Sequence, residues 1–259
     1  MIQMIEKIWY YIVYLCSSNK INTKNFLFKS KNKKIIYSDI KKKYNYRGKL
    51  LHLFCSNKKY AINKWHHYIP LYDKYFQRFV GTKVKLLEIG VKNGGSLKLW
   101  RKYFGKNAKI YGIDINPDCA NLNFRTENIR IGDQSDKNFL LKVYKEMKSI
   151  DIVIDDGSHR MDHIRKSLLT LFPKLNYNGL YVIEDLHTAY WGQFRGGFNR
   201  KANFFNLVYD LIDDLHFNYH LRKLKMPDFK KECTGIHIYD SIVFLEKNKN
   251  YKSTQSIIL

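Results

Sequence analysis

Two segments of the chain end an apolar run in a pair of carboxylates. Residues 152–156 are Ile-Val-Ile-Asp-Asp, and residues 180–185 are Leu-Tyr-Val-Ile-Glu-Asp. A short apolar run closed by acids is typical of a buried strand whose carboxyl-terminal tip carries function. Two such tips side by side would bring four carboxylates to one edge of a sheet. Because hard divalent cations prefer oxygen ligands, the sequence predicts a cation at this edge.

A glycine-rich turn follows an earlier apolar run. Residues 86–96 are Leu-Leu-Glu-Ile-Gly-Val-Lys-Asn-Gly-Gly-Ser, so the glycines stand at 90, 94 and 95. This spacing differs from the dinucleotide fingerprint, and the phosphate-binding Lys-Ser/Thr pair is absent from it. Glycines let the backbone approach a ligand closely. The acid at Glu88 suits a ligand with a cationic group better than a pyrophosphate.

Two further apolar runs end in single acids. Asp114 closes the run at 109–113, and Asp133 follows the run at 129–131. A carboxylate at Asp114 suits the two hydroxyls of a ribose. Asp133 is placed to accept a hydrogen bond from the exocyclic amine of a base. With Glu88, these acids form an ordered series at successive strand ends, which a chance distribution of turn residues rarely produces.

The elements that must position these acids alternate between strand and helix. The predicted strands are 84–89, 109–113, 129–131, 151–154, 180–183, 236–239 and 242–246. Such alternation predicts an α/β fold with a doubly wound, mostly parallel sheet. In these sheets ligands bind beyond the carboxyl ends of the strands, where the glycine turn and the acids lie. We expect residues 65–259 to form this domain.

The N-terminal part of the chain is basic. The net charge is +23, and residues 1–85 carry 19 of the 46 Lys and Arg but only 3 of the 23 Asp and Glu. We expect residues 1–64 to be a basic N-terminal extension, partly helical or mobile. It is either an arm for a polyanion or a reflection of biased composition. The apolar run at 8–16 is too short for a membrane span, so no transmembrane segment is predicted.

The whole set of motifs resembles the class I S-adenosylmethionine-dependent methyltransferases, and among them the metal-dependent sugar and macrolide O-methyltransferases. The resemblance covers about residues 65–247. The most specific segments are Asp-Asp-Gly-Ser-His at 155–159 and Glu-Asp-Leu-His-Thr-Ala-Tyr-Trp at 184–191. It implies a Rossmann-like methyltransferase sheet of seven strands, and in this chain the basic N-terminal extension precedes it. It also implies an enzyme that methylates a hydroxyl of a sugar or a glycosylated small molecule.

The resemblance assigns roles to individual residues. It implies that S-adenosylmethionine contacts Glu88, Gly90, Gly94, Asp114, Asp133 and Tyr68. It implies that Mg²⁺ is held by Asp155, Glu184 and Asp185. Asp156 is expected to cap the following turn or to touch the cofactor instead.

The general base is open among several candidates. His237 is favoured, with Asp240 close to it in sequence, because the resemblance puts acceptor-facing groups in the final hairpin. His187 is the next candidate, since it follows the second acidic tip in a loop expected to line the acceptor pocket. His159 is expected to orient Asp155 or its loop rather than to act on substrate.

Two other functions stay open at the level of sequence. A nucleic-acid methyltransferase could use the basic extension, although the four prolines are isolated and Asn/Asp-Pro-Pro-Tyr is absent. A non-catalytic protein could retain only the fold, although the acidic series is intact. The four cysteines are scattered, which favours a reducing compartment and hence a cytoplasmic location. The partner is expected to be a small-molecule or glycan acceptor, and a homo-oligomer is possible.

Overall fold

The structure is a computed structural model that describes residues 27–122, 124, 127–221, 223–226, 229 and 232–258. The apolar run at 8–16 and much of the basic extension lie outside the described residues. None of the helices in the described part of the chain is both long and apolar enough to cross a membrane.

Seven strands form one sheet, as predicted. They are β1 (Lys85–Ile89), β2 (Lys109–Asp114), β3 (Glu127–Ile131), β4 (Ile150–Asp155), β5 (Leu175–Ile183), β6 (Cys233–Tyr239) and β7 (Ile242–Lys247). The strand order is β3-β2-β1-β4-β5-β7-β6. The first five strands run parallel, and β7 is antiparallel to both of its neighbours. The predicted Rossmann-like, mostly parallel sheet is therefore confirmed.

Helices cover both faces of this sheet. They are α1 (Lys33–Tyr44), α2 (Lys49–Cys55), α3 (Tyr68–Phe76), α4 (Gly95–Phe104), α5 (Lys137–Met147), α6 (Met161–Leu171) and α7 (Phe204–Leu215). Short 3₁₀ turns join several of them, including Leu186–Tyr190 directly after the second acidic tip. Such crossover helices explain why the central strands are apolar on both sides.

The two faces of the sheet build two hydrophobic clusters. Leu87, Val153 and Tyr181 point to the face that α5, α6 and α7 cover. The residues just before them in each strand point to the opposite face, with α1 to α4. This division follows from the two-residue period of a strand.

The described part of the N-terminal segment joins the second cluster. Ile40 of α1 and Leu50 and Leu51 of α2 are fully buried together with Trp100 of α4. The hydrophobic core thus extends N-terminal to residue 64, where the sequence pattern placed the start of the domain.

The sheet brings the functional strand ends to one level. Ile89 at the end of β1 pairs with Ile113 on one side and with Asp155 on the other, and Asp155 pairs with Ile183. Backbone hydrogen bonds continue one step beyond the strands, from the Asp156 N–H to the Ile89 carbonyl and from the Glu184 N–H to the Asp155 carbonyl. The acidic tips are therefore held side by side by the main chain.

Candidate functional site

A cavity of about 570 Å³ opens at the carboxyl ends of β1, β2 and β4. Three of the predicted cofactor residues, Gly90, Asp114 and Asp133, line it. The other three, Glu88, Gly94 and Tyr68, do not line it. The acidic tips also contribute to the wall, through Asp156 and Asp185.

The glycine turn packs closely against two other segments of the same chain. Gly90 has φ +96°, and a Cβ placed there would lie 2.1 Å from the Asp156 carbonyl oxygen. A Cβ on Gly95 would lie 2.1 Å from the carbonyl oxygen of Ala61. Gly94 has φ +68° and precedes α4, so it shapes the turn from outside the cavity. The turn therefore needs glycine to close the cavity wall.

Asp114 uses its carboxylate mainly to fix the glycine turn. Its Oδ2 accepts hydrogen bonds from the N–H groups of Val91 and Lys92, each at 2.9 Å. Its Oδ1 accepts from the Asn116 N–H at 2.9 Å. A carboxylate has about four lone-pair sites, so acceptor capacity remains for a ligand hydroxyl.

Asp133 lies on the cavity wall as an ionised group. Its Oδ1 accepts a hydrogen bond from the Ser135 N–H at 2.7 Å. That backbone donor lowers the pKa of the Asp133 carboxyl below its ordinary value. The side chain can therefore accept a hydrogen bond from a ligand amine at neutral pH.

Glu88 is a buried carboxylate behind the turn. It is fully buried, and neither oxygen has a hydrogen-bond partner. Burial raises its pKa to about 7, against the lowering effect of the Lys64 ammonium. The Ser96 and Trp100 side chains beside it lower the pKa as well, so the donors around this carboxyl belong to the protein.

One group of potential metal ligands stands at the acidic tips. Among the described residues, Asp156, His159 and Asp185 are the only three His, Cys, Asp or Glu side chains whose ligand atoms all lie within 4.8 Å of one another. The Nε2 atom of His159 is 3.9 Å from Asp156 Oδ1 and 3.9 Å from Asp185 Oδ2. The three side chains are partly exposed, so they can meet a ligand from the cavity.

Asp155, which the sequence analysis predicted as a metal ligand, is not part of that group. Its carboxylate accepts hydrogen bonds from the Ser167 hydroxyl and, at 3.1 Å, from Gln134 Nε2. Burial raises its pKa. The physical reason is the pleat, because Asp155 shares the face of Val153 and points under α6. Asp156, the next residue, takes the place at the cavity that the sequence analysis gave to Asp155.

Glu184 is buried beside a cation that belongs to the protein. The Nζ atom of Lys64 lies 2.5 Å from Glu184 Oε1 and 2.5 Å from Asp156 Oδ2. The Tyr72 hydroxyl also donates to Glu184 Oε1. Burial alone would lower the pKa of Lys64, but the two carboxylates outweigh it and raise the pKa. Lys64 is therefore an ammonium at the acidic edge.

Tyr68, predicted to bind the cofactor, lies instead at the second acidic tip. Its hydroxyl donates to the Ser241 carbonyl at 2.8 Å and lies 3.2 Å from Asp185 Oδ1. The indole N–H of Trp65 donates to the same Asp185 oxygen at 2.9 Å. These aromatic donors orient Asp185 toward the cavity.

The favoured histidine stands away from this group. His237 lies on β6, at the far edge of the sheet, with its ring 5.0 Å from the Tyr75 ring and its Nε2 3.5 Å from Glu246 Oε1. Asp240 is exposed, and its main-chain carbonyl accepts from His67 Nε2 at 2.8 Å. Neither His237 nor Asp240 lines the cavity.

His187 is closer to the acidic tips. Its Nδ1 lies 2.6 Å from the Ser241 hydroxyl, and its ring is 4.8 Å from Trp191 and 5.5 Å from Trp65. Burial lowers its pKa, so the imidazole is neutral at pH 7. It stands behind the aromatic side chains, whereas His159 lines the cavity itself.

Sequence reasoning missed two residues of this site, Lys64 and Gln134, and gave a third, His159, a positioning role. Lys64 falls in a lysine-rich stretch, where a single lysine gives no signal. Gln134, which also accepts from the Ser158 N–H at 2.7 Å, follows Asp133 without any motif. His159 carried the only usable signal, since it closes the Asp-Asp-Gly-Ser-His segment at the strand end.

Known proteins resemble this chain in sequence and in structure. A family model described as a methyltransferase domain matches residues 87–186. A tetracenomycin-C rhamnosyl 3'-O-methyltransferase of Streptomyces olivaceus is 37% identical over 202 residues, which cover 73% of this chain and 51% of the relative. The mycinamicin VI 2''-O-methyltransferase of Micromonospora griseorubida is 36% identical over 71% of this chain and 49% of its own length. The chain thus spans about half the length of the curated relatives it matches.

A solved structure has the same fold. The mycinamycin-pathway methyltransferase MycE, in complex with Mg, S-adenosylhomocysteine and mycinamycin VI, superposes with a TM-score of 0.67 at 31% identity, over 82% of this chain and 53% of MycE. The residues that the family model matches, 87–186, include the glycine turn and both acidic tips. The chain contains a methyltransferase domain and is homologous to mycinamicin 2''-O-methyltransferase and other sugar O-methyltransferases.

Proposed function

We propose that the protein is an S-adenosylmethionine-dependent and Mg²⁺-dependent O-methyltransferase that acts on a hydroxyl of a sugar or a glycosylated small molecule. The observation that carries the proposal is the joint position of Asp156, His159 and Asp185 on the wall of the same cavity as the glycine turn. A methyl donor in the cavity and a hydroxyl at the acidic tips would then meet.

The cavity suits the methyl donor in size and in its polar groups. Its volume falls within the range of about 300–1,000 Å³ typical of small-molecule sites. Asp114 has acceptor capacity for a ribose hydroxyl, and Asp133 is an ionised acceptor for the adenine amine. The buried carboxylate of Glu88 lies behind the turn and favours a cationic ligand on the other side.

The acidic tips suit Mg²⁺ in the chemistry of their donors. Mg²⁺ prefers about six oxygen ligands and usually keeps several waters, so Asp156 and Asp185 would hold it. When bound, Mg²⁺ would supply Lewis acidity that lowers the pKa of an acceptor hydroxyl. Because Mg²⁺ disfavours nitrogen ligands, the His159 imidazole stays available for a proton.

His159 is the base that we propose. Its Nε2 atom stands between the carboxylates of Asp156 and Asp185, 3.9 Å from each, so it faces the place where an acceptor hydroxyl would lie. The acceptor hydroxyl gives its proton to Nε2, its oxygen forms a bond to the methyl carbon, and the bond from that carbon to sulfur breaks. Positioning these groups in line supplies much of the acceleration.

An aromatic surface next to the tips suits a sugar acceptor. The rings of Trp65, His187 and Trp191 lie side by side along it. The His187 centroid is 5.5 Å from that of Trp65 and 4.8 Å from that of Trp191. Such rings offer flat apolar area together with a few polar atoms, a combination that pockets use to orient ligands. The apolar C–H face of a hexose would pack against it while its hydroxyls reach Asp185.

The proposal is tested by activity and by binding. The full chain is incubated with S-adenosylmethionine and a panel of glycosylated macrolides and aryl rhamnosides, with Mg²⁺ or with EDTA, and products are read by mass spectrometry. We expect a mass gain of one methylene on the sugar that disappears in EDTA and returns with Mg²⁺. Asp213→Asn, which removes a carboxylate from the exposed end of α7, is the control variant and should methylate as the wild type does. Absence of S-adenosylhomocysteine binding by calorimetry would refute the proposal.

We propose a small-molecule or glycan acceptor, with nucleic acid disfavoured. A homo-oligomer and a cytoplasmic location are further predictions, which light scattering of the purified chain and cell fractionation would check.

A further inference from the structure

The side chain of Gln134 joins two of the strand ends that build the cavity. The residue follows Asp133, just beyond β3, and is only 6% exposed. Its Oε1 accepts a hydrogen bond from the Ser158 N–H at 2.7 Å, and its Nε2 donates to Asp155 Oδ1 at 3.1 Å. A main-chain N–H needs the amide oxygen and a carboxylate needs the amide nitrogen, so these two partners fix which way the amide points.

The loop after β4 is folded tightly around this amide. A Cβ on Gly157 would lie 2.2 Å from Gln134 Oε1 and 2.9 Å from the Ile89 side chain, so the loop needs glycine there. Two residues later His159 has φ +55°, a left-handed conformation that persists in such a residue where the surrounding structure holds it. The Ser158 N–H stands between these two positions. Gln134 therefore holds the loop directly before the residue that carries the imidazole.

Asp155 holds the other end of the Gln134 amide. Its carboxylate is 1% exposed and also accepts from the hydroxyls of Ser167 on α6 and, at 3.4 Å, Tyr181 on β5. Buried polar groups that are all satisfied in this way make a rigid network. A chain of hydrogen bonds thus runs from the core, through Asp155 and Gln134, to the loop of His159.

We infer that Gln134 is a positioning residue, whose amide holds the loop at 157–159 so that the His159 imidazole faces the acceptor. The inference rests on the proposed function, in which His159 takes the proton of the acceptor hydroxyl. A base must lie within hydrogen-bond reach of that proton, and a displacement of about 1 Å can cost about 10²-fold in rate. Both polar atoms of the Gln134 side chain are bonded within the protein, so its effect on the rate passes through the loop.

The first variant is Gln134→Met, which keeps the length of the side chain and removes its hydrogen bonds. The full chain is saturated with S-adenosylmethionine and Mg²⁺, and methyl transfer to an aryl rhamnoside is measured in a single turnover. We expect the rate to fall by about tenfold to a hundredfold, because the imidazole is no longer held in place. We expect the affinity for S-adenosylhomocysteine, read by calorimetry, to stay within about threefold of the wild type. Gln77→Met, at an exposed position directly after α3, is the matched control and keeps the wild-type rate.

The second variant exchanges the amide and the acid, as Gln134→Glu/Asp155→Asn. One carboxylate oxygen at position 134 then accepts from the Ser158 N–H, and the other accepts from the amide nitrogen at position 155. The amide oxygen at position 155 stays on the side of the Ser167 and Tyr181 hydroxyls, so each hydrogen bond has a counterpart and the total charge is unchanged. We expect this variant to fold and to recover the single-turnover rate to within about threefold of the wild type.

The two single changes of this exchange are its controls. Gln134→Glu alone brings two carboxylates together, and their repulsion is expected to displace the side chain and to keep the rate below that of the exchange variant. Asp155→Asn alone leaves the hydrogen bond between Gln134 and Ser158 in place, so it is expected to cost stability rather than rate.

The position of the His159 ring is also read without any acceptor. The protein is labelled on histidine, and the NMR signals of the imidazole C–H groups are compared between variants, with His159→Gln identifying the signal of this ring. We expect the His159 signal to move in Gln134→Met, to return toward its wild-type position in the exchange variant, and to stay in place in Gln77→Met.

The outcomes separate this inference from the proposed function. A wild-type rate in Gln134→Met, an unmoved His159 signal, or a folded exchange variant as slow as Gln134→Met overturns the inference. A wild type that binds no S-adenosylhomocysteine or transfers no methyl group overturns the proposed function instead. The NMR comparison contains neither acceptor nor methyl donor, so it decides in that case too whether Gln134 places the ring.

Discussion

The two acidic tips each carry two carboxylates, and these four groups divide into two pairs with different surroundings. The inner pair, Asp155 and Glu184, is 1% and 2% exposed and is enclosed by donors of the protein. The outer pair, Asp156 and Asp185, has side chains that are 21% and 27% exposed and line the cavity. A carboxylate that the protein already satisfies stabilises the fold, whereas one that faces a cavity can serve a ligand.

The contrast at the first tip follows from where β4 ends. Asp155 is still in the pleat and points under α6, while Asp156 begins the loop beyond it. At the second tip Glu184 follows β5, and Asp185 has φ +55°, a left-handed conformation that turns the chain into the following 3₁₀ turn. At both tips, the direction of the backbone at a single residue decides whether its carboxylate is enclosed or faces the cavity.

The largest effect is expected at the residue that joins the two outer carboxylates. His159→Gln removes the proposed base, and we expect turnover to fall by about 10²–10⁴-fold. His237→Gln, at the far edge of the sheet, is the matched control and should leave turnover within about twofold of the wild type, which is the usual scatter for a site outside the cavity. Single-turnover assays at saturating S-adenosylmethionine measure both. A larger loss at His237 than at His159 would restore the base favoured from the sequence.

Much of the fold was predictable from the sequence, because burial on both faces makes the strands apolar throughout. The predicted strand at 84–89 is Lys85–Ile89, and the strand predicted at 151–154 is Ile150–Asp155. The last hairpin was also predicted, although β6 begins at Cys233 rather than at 236. The start of β6 was missed because Gly235, which lies beside a shift of register, breaks the apolar pattern.

The sequence predicts which edge of the sheet carries the site, but not which side chains face the cavity there. An apolar run that stops at acids locates the tips, yet it does not say which acid stays in the pleat. That choice depends on the exact end of hydrogen bonding between β4 and its neighbours, which is a tertiary property. Lys64 was unpredictable for another reason, since its neighbours in sequence do not include the carboxylates it binds, 92 and 120 residues away.

The outer pair is tested directly by removing its charges. Asp156→Asn and Asp185→Asn are each expected to reduce Mg²⁺-dependent turnover by about 10²–10³-fold, the usual cost of losing one electrostatic group at a reacting centre. The free energy of unfolding should change little for Asp185→Asn, because the aromatic donors around it also fit an amide oxygen. Turnover as a function of Mg²⁺ concentration, together with urea unfolding, separates the two effects. Full activity in either variant would contradict the division into inner and outer carboxylates.

The inner pair is expected to give the opposite pattern. Asp155→Asn puts an NH₂ group where the carboxylate accepts from Ser167, Gln134 and Tyr181, so a buried donor is left without an acceptor. We expect the free energy of unfolding to fall by about 1–3 kcal/mol. Turnover per folded molecule should stay within about threefold of the wild type, since the side chain does not face the cavity. A thousandfold loss of turnover at unchanged stability would instead make Asp155 a ligand.

The effect expected at Glu88 concerns the pH dependence of stability rather than turnover. Its folded-state pKa of about 7 lies above the ordinary value of 4.5. At pH values between these two, the folded state therefore binds more protons than the unfolded state. The Glu88 contribution to stability is therefore fully present below pH 4.5 and is lost as the pH rises through 7, in total about 3 kcal/mol at most. Glu88→Gln cannot ionise, so its urea-unfolding free energy should vary less between pH 5 and 8 than that of the wild type. Glu146→Gln, at a partly exposed pair with Arg130, is the control and leaves this pH window unchanged, because the pKa of Glu146 is lowered rather than raised. If Glu88→Gln keeps the wild-type slope, the Lys64 ammonium already holds Glu88 ionised in the wild type, and the burial of Glu88 does not govern its charge.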